Sequence, residues 1–223
     1  MSLVKVAQVV WVICRDCFHN QQMTPLLQSL IQSLRCLPGI GPKSAQRIAF
    51  NLLTRQRDAA IHLAEVLLKS MATIGYCQSC RTFSETPLCL HCVSDRRDKT
   101  ILCIVESPAD QYAIEQTGYQ GLYFILHGRL SPLDGITPKD IGLDRLPQWI
   151  NAHPDLKEII VATNPTIEGE ATAYYIAHLT KDYPIRCSRI AQGVPMGGEL
   201  DMIDIGTLVH AFTGRGVIEN DKT

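Results

Sequence analysis

With 223 residues, 46% of them hydrophobic and 19% charged, the chain has the make-up of a packed globular protein and not of a disordered one. Its formal net charge of −1 excludes a global pull on polyanions, so any such binding has to come from a local patch. No run of about 18 apolar residues occurs, so no membrane-spanning helix is expected.

The first 22 residues stand apart. "VAQVVWVIC" has the length of a signal-peptide core, yet only Lys5 supplies charge and no small-residue cleavage site follows. Residues 1–22 are expected to be an upstream-start extension or a poorly ordered arm. Cys14, Cys17 and His19 are ligand types, but three of them with no fourth nearby do not make a zinc site. Thr24 as cap and Pro25 as first helical residue place the start of the folded chain near Met23.

From Pro25 to Leu37, apolar residues recur at helical spacing. "PGIG" (38–41) ends that helix, and Pro42 opens another running to about Thr54. A third helix is expected over Asp58–Ile74, with Asp58 as its cap and Gly75 beyond its end. Cysteines crowd residues 77–92, and the charged link "SDRRDK" follows. Beyond it the pattern becomes strands alternating with helices. Strands are expected at 101–105, 122–126, 158–163 and 185–190, and helices near 108–116, 143–151 and 168–181. That alternation indicates a mostly parallel sheet covered by helices. A tail helix is expected over Ile203–Phe212, after the Gly-rich "GVPMGG".

"LPGIGPKSAQRIA" (37–49) has the form of a helix–hairpin–helix. Gly39 and Gly41 are expected to take positive φ and admit a phosphate to bare backbone. The first N–H groups of the next helix form an anion site, to which Lys43 and Arg47, one turn apart, add charge. Five basic residues (Arg35, Lys43, Arg47, Arg55, Arg57) and no acid lie between Met23 and Arg57. An ordinary helical turn is the plainer reading of the glycines, and a solvated helix face that of the charges. A nucleotide P-loop is excluded, because Pro42 separates Gly from Lys and a helix, not a strand, precedes the loop. The expected ligand is a DNA backbone, bound without sequence preference and with steep salt dependence.

"CQSCRTFSETPLCLHC" sets Cys77, Cys80, Cys89 and Cys92 in the spacing C-x₂-C-x₈-C-x₂-C. Two such knuckles present four thiolates to one tetrahedral Zn²⁺, so one structural ion per chain is expected, joining the hairpin region to the sheet region. An odd total of nine cysteines, four of them in this paired array, favours metal over disulfides and a reducing, cytoplasmic location. His91 is expected to be a bystander, and Cys36, Cys103 and Cys187 small core residues.

Two carboxylate clusters follow strands: "IVESPAD" (104–110), with Glu106 and Asp110, and "TNPTIEGE" (163–170), with Glu168 and Glu170. In a parallel sheet the C-terminal strand ends share one edge, so the clusters can meet there. This resembles the Toprim domain of topoisomerases and primases, which pairs a Glu after its first strand with a D-x-D-x-E-G-E-like element after a later one. Glu106, Glu168, Gly169 and Glu170 match, whereas Asn164 and Thr166 stand at the two Asp positions and remove two negative charges from a Mg²⁺ ligand set.

Taken in order, "CLPGIGPKSAQR", the four cysteines, "SPLDGI", "TNPTIEGEAT" and "SRIAQGVPMGGELD" resemble the RecR family of bacterial recombination mediators over about residues 23–215. In that family "TNPT" is the usual form. The resemblance implies a non-catalytic DNA clamp, a homo-oligomer and in particular a ring of four. It acts with RecO, and in some lineages RecF, to help RecA displace single-strand-binding protein from gapped or single-stranded DNA. The implied architecture is α+β in several parts. They are an extension (1–22), a helix–hairpin–helix domain (23–76), a four-cysteine zinc finger (77–92), an α/β Toprim domain (100–196), and a C-terminal segment likened to a Walker B strand with a helix (197–223). The acids Glu106, Asp110, Glu168 and Glu170 then form either a face for a basic partner such as RecO or a weak residual Mg²⁺ site. The competing function is a small Mg²⁺-dependent Toprim nuclease acting on DNA or structured RNA.

Overall fold

The computed structural model describes residues 23–191 and 193–216, and the ligand types at Cys14, Cys17 and His19 lie outside them. The chain divides into two compact units, one ending at Thr73 and the other beginning at Ile74.

The first unit holds three helices, α1 (Pro25–Leu34), α2 (Pro42–Arg55) and α3 (Arg57–Thr73). Thr24 caps α1 as expected, its side chain accepting from the Leu27 N–H. The helix stops earlier than its apolar spacing implies. Residues 35–37 turn back with hydrogen bonds to carbonyls three residues behind, and Leu37 is half exposed. α3 also starts differently. The Gln56 carbonyl already accepts from Ala60 N–H, so Asp58 lies inside the first turn, where its charge complements the helix dipole without capping. Gly75 begins a strand. Ala45 and Ala49, one turn apart on α2, are fully buried, which lets neighbouring helices approach closely. Much larger side chains stay exposed, among them Ile61, Leu67, Leu68 and Met71 of α3. An apolar cavity of about 420 Å³ lies between Leu30, Leu34, Leu53, Ile61 and Leu67.

The second unit opens with a two-stranded antiparallel ribbon, β1 (Gly75–Tyr76) and β2 (Phe83–Ser84), and the short helix α4 (Leu90–Val93). A four-stranded sheet follows, built from β3 (Asp98–Val105), β4 (Gly121–Ile125), β5 (Glu158–Ala162) and β6 (Arg186–Arg189) in the order β4-β3-β5-β6, all parallel. The helices are α5 (Pro108–Glu115), α6 (Leu146–Asn151, entered through one 3₁₀ turn), α7 (Ile167–Thr180) and α8 (Ile205–Thr213).

Both faces of the sheet are covered, as continuous apolar runs require. Leu102, Ile104, Phe124, Ile159 and Val161 pack with Trp149 and Ile150 of α6 and Ile176 of α7. On the alternate positions, Cys103, Val105, Tyr123 and Ile125 pack with Cys77, Cys80 and Cys89, so the cysteine knuckles form part of a sheet face. Cys103 is a core residue as expected, and burial pushes its thiol up to about 12. Cys36 and Cys187 are not core residues. Cys36 lies in the turn after α1, and Cys187 on β6, an edge strand with no further neighbour among the described residues.

Candidate functional site

The hairpin turn needs only one of its two glycines for backbone reasons. Gly39 has φ +78°, whereas Gly41 is extended with φ −81° and acts as N-cap of α2. Nothing stands within 4 Å of where a Cβ would sit at either glycine, so the turn presents open backbone. Pro42 occupies the first position of α2, and Lys43 and Arg47 follow on its exposed surface. Neither cation, nor Arg55 or Arg57, makes an ion pair among the described residues. Arg35 donates to the Gln32 side chain at 2.8 Å.

The four cysteine sulfurs lie within 4.8 Å of one another, with Cys77–Cys92 at 3.7 Å and Cys80–Cys89 at 3.4 Å. Zinc–sulfur bonds of about 2.3 Å in a tetrahedron place sulfurs roughly 3.8 Å apart, so the set fits one such ion. The Cys89 N–H donates to the Cys77 sulfur at 3.3 Å, which favours a thiolate there. Hydrogen bonding between Cys80 and Cys89 holds the Cys89 thiol below and the Cys80 thiol above the ordinary range. His91 faces Arg97 and Glu115, not the sulfurs. The knuckle is tied to the sheet by the Ile125 N–H, which donates to the Cys80 carbonyl at 3.0 Å.

The two carboxylate clusters do meet, at the switch point where β3 and β5 run side by side and their connections leave in opposite directions. Glu106 is 6% exposed. It accepts from the Asn164 backbone N–H and from Asn164 Nδ2, each at 2.8 Å, and Arg129 stands 3.9 Å away. Thr166, at the second departure from the Toprim pattern, caps α7 by accepting from the Gly169 N–H. Gly169 is needed here for space, because a Cβ would stand 2.1 Å from the Asn164 carbonyl oxygen. The Asp110 carboxylate accepts from Ser107 N–H and Oγ in a capping box for α5. Glu170 pairs with Arg189 at the end of β6, and Glu168 is half-buried in the first turn of α7. Among the described residues, the cysteine set alone brings three or more ligating atoms within 4.8 Å of one another.

Arg129 and Arg189 were not found from the sequence. The only signal for each is its place after or at the end of a strand, on the edge that carries the acids.

Three family models match successive parts of the chain. A RecR helix-hairpin-helix model matches residues 27–71, a Toprim domain model residues 100–191, and a RecR C-terminal model residues 193–215. The chain belongs to the RecR family. The RecR hairpin model spans most of α1, the glycine turn, α2 and most of α3, and the Toprim model holds the parallel sheet apart from the first two residues of β3. Membership carries with it a role in DNA recombination and repair. Among the described residues no helix is long and apolar enough to cross a membrane.

Proposed function

We propose that this chain is a DNA-binding clamp of recombinational repair. It works in the cytoplasm with RecO, and in some lineages RecF, to promote RecA loading on single-stranded or gapped DNA, and leaves phosphodiester bonds intact. The observation that carries this reading is the hairpin. It has open backbone at Gly39 and Gly41, the start of α2, and the exposed cations Lys43 and Arg47 on a stretch without acids. Those are the parts of a phosphate-backbone contact.

Asn164 supports the non-catalytic part of the reading. Its N–H and amide occupy both Glu106 oxygens, which a Mg²⁺-dependent nuclease would use as ligands. One hairpin grips few phosphates, so several copies are needed on one strand or duplex. The exposed apolar residues of α3 and the cavity beside them supply a surface for such self-association, in keeping with a ring of four. The cysteine set holds one structural Zn²⁺, and Glu168, which makes no ion pair among the described residues, faces a basic partner.

The deciding experiment is a salt titration of DNA affinity. Lys43→Ala with Arg47→Ala is expected to weaken binding alike for unrelated sequences and to flatten the log–log salt slope by about two. An unchanged slope would place the phosphate contacts elsewhere. Cleavage of gapped or supercoiled DNA with Mg²⁺, abolished by Glu106→Ala, would replace the clamp by a nuclease. Native mass with and without DNA tests assembly, and a strictly monomeric protein in both would remove the ring.

A further inference from the structure

A cavity of about 480 Å³ in the second unit has no part in the features above. It lies between the first cysteine knuckle and α6. Arg81, Arg145, Gln78, Gln148 and His153 line it over the Trp149 indole, and no carboxylate is among its lining residues.

The Arg81 guanidinium is fixed. Its Nη1 donates to the Ile141 carbonyl at 2.6 Å, and the group lies over the Phe124 ring, 5.5 Å from the centroid. It also rests on Gly142, where any Cβ would collide with it. Neither Arg81 nor Arg145 makes an ion pair among the described residues. Burial, and next the Arg145 charge, draw Arg81 below the usual guanidinium range, with Asp144 opposing. His153 uses Nδ1 on the Trp149 carbonyl, and its ring stacks on the indole at 3.7 Å between centroids. Two like charges, one of them half-buried and held in place, therefore share a cavity with neutral donors.

We propose that this cavity binds a phosphate of a nucleic-acid backbone, as a contact additional to the hairpin. The inference rests on the DNA-binding reading above. Two guanidiniums, two amides and an imidazole offer more donors than the two oxygens of a carboxylate can use, and they suit the several oxygens of a phosphate. The volume falls in the range of about 300–1,000 Å³ common for small-ligand sites, enough for a phosphate with part of its sugar. Bringing the anion in relieves the repulsion between the cations.

The test compares the full-length wild type with Arg145→Gln, Arg145→Lys and the Lys43→Ala/Arg47→Ala pair, by fluorescence anisotropy on labelled oligonucleotides over a salt series. Arg145 is exposed and makes no side-chain hydrogen bond or ion pair among the described residues, so its variants are expected to melt with the wild type. Arg145→Gln is expected to weaken binding roughly 3- to 10-fold and to flatten the salt slope by about one, additively with the hairpin pair. Arg145→Lys keeps the slope while losing part of the affinity. A wild-type slope for Arg145→Gln beside a flattened one for the hairpin pair overturns this inference and leaves the clamp standing. No salt-dependent DNA binding by the wild type removes both. Arg145-dependent binding of a poly-glutamate peptide, with oligonucleotide binding unaffected, assigns the cavity to an acidic protein and overturns the proposal.

Discussion

Asn164 closes over Glu106: its backbone N–H and its Nδ2 donate to the two oxygens of that carboxylate, each at 2.8 Å. An aspartate in the same place offers no side-chain donor and brings a second negative charge to a carboxylate that is 6% exposed. One substitution thus turns the pair expected of a Mg²⁺ site into a satisfied hydrogen-bonded contact. Thr166 acts in the same direction by becoming a helix cap.

Asn164→Asp is therefore expected to destabilise the protein by about 2 kcal/mol at neutral pH, since it removes one hydrogen bond and sets two carboxylates together. Millimolar Mg²⁺ should restore part of the loss in the variant and leave the wild type unmoved. Thermal melts of both proteins with and without Mg²⁺ check this, and a variant that melts with the wild type would show that the contact contributes little.

Gly169→Ala sets a methyl group where the Asn164 carbonyl oxygen already lies, 2.1 Å away. Overpacking against backbone costs roughly 1–3 kcal/mol. Denaturant unfolding should show that loss, whereas Gly193→Ala, where nothing stands within 4 Å of the added carbon, should unfold close to the wild type.

Cys77→Ser is expected to abolish stoichiometric zinc and to loosen the sheet face that the knuckles cover, because metal binding is coupled to folding. Elemental analysis reads the first effect. Near-UV circular dichroism reads the second, since Tyr123 lies in that cluster and packs edge-on against Tyr119. A metal-free wild type with unchanged stability would contradict the assignment.

Asp204 caps α8, accepting from Thr207 Oγ1 at 2.6 Å and from the Thr207 N–H at 2.9 Å, and these bonds hold its carboxyl below the usual carboxylate range. A folded value below the unfolded one means a contribution present above about pH 4 and lost as pH falls through the folded value. The end of α8 should fray in acid, visible as faster exchange of the Thr207 amide. Asp204→Asn, which keeps an acceptor without a charge, should remove the pH dependence over that window.

Much was legible in the sequence because it is written over short distances. Helical periodicity placed most helices, and short apolar or β-branched runs placed the sheet strands, to within a few residues. Thr24–Pro25 marked the first helix, and the knuckle spacing C-x₂-C-x₈-C-x₂-C announced four sulfurs around one point. Each of these depends on neighbours in one short stretch of chain, the longest being the 15 positions from Cys77 to Cys92. Where local signals competed, the prediction slipped. Asp58 reads as a cap, but the Gln56 carbonyl was already engaged, and Gly41 reads as a positive-φ glycine although only Gly39 turns the chain.

Tertiary structure alone decided what lies across the sheet. Glu106 and Asn164 are 58 residues apart, and they meet because β3 and β5 pair in parallel with Val105 beside Ala162. Nothing near Glu170 in the sequence names Arg189 as its partner, and nothing near Arg81 names Arg145 as a neighbour across one cavity. The cysteine set could be read from its spacing, but its seat on the face of Cys103 and Tyr123 could not. The physical reason is the same throughout. Caps, turns and knuckles are governed by torsions and hydrogen bonds along one stretch of backbone, whereas contacts between distant side chains depend on strand order and register, which only the packed core selects.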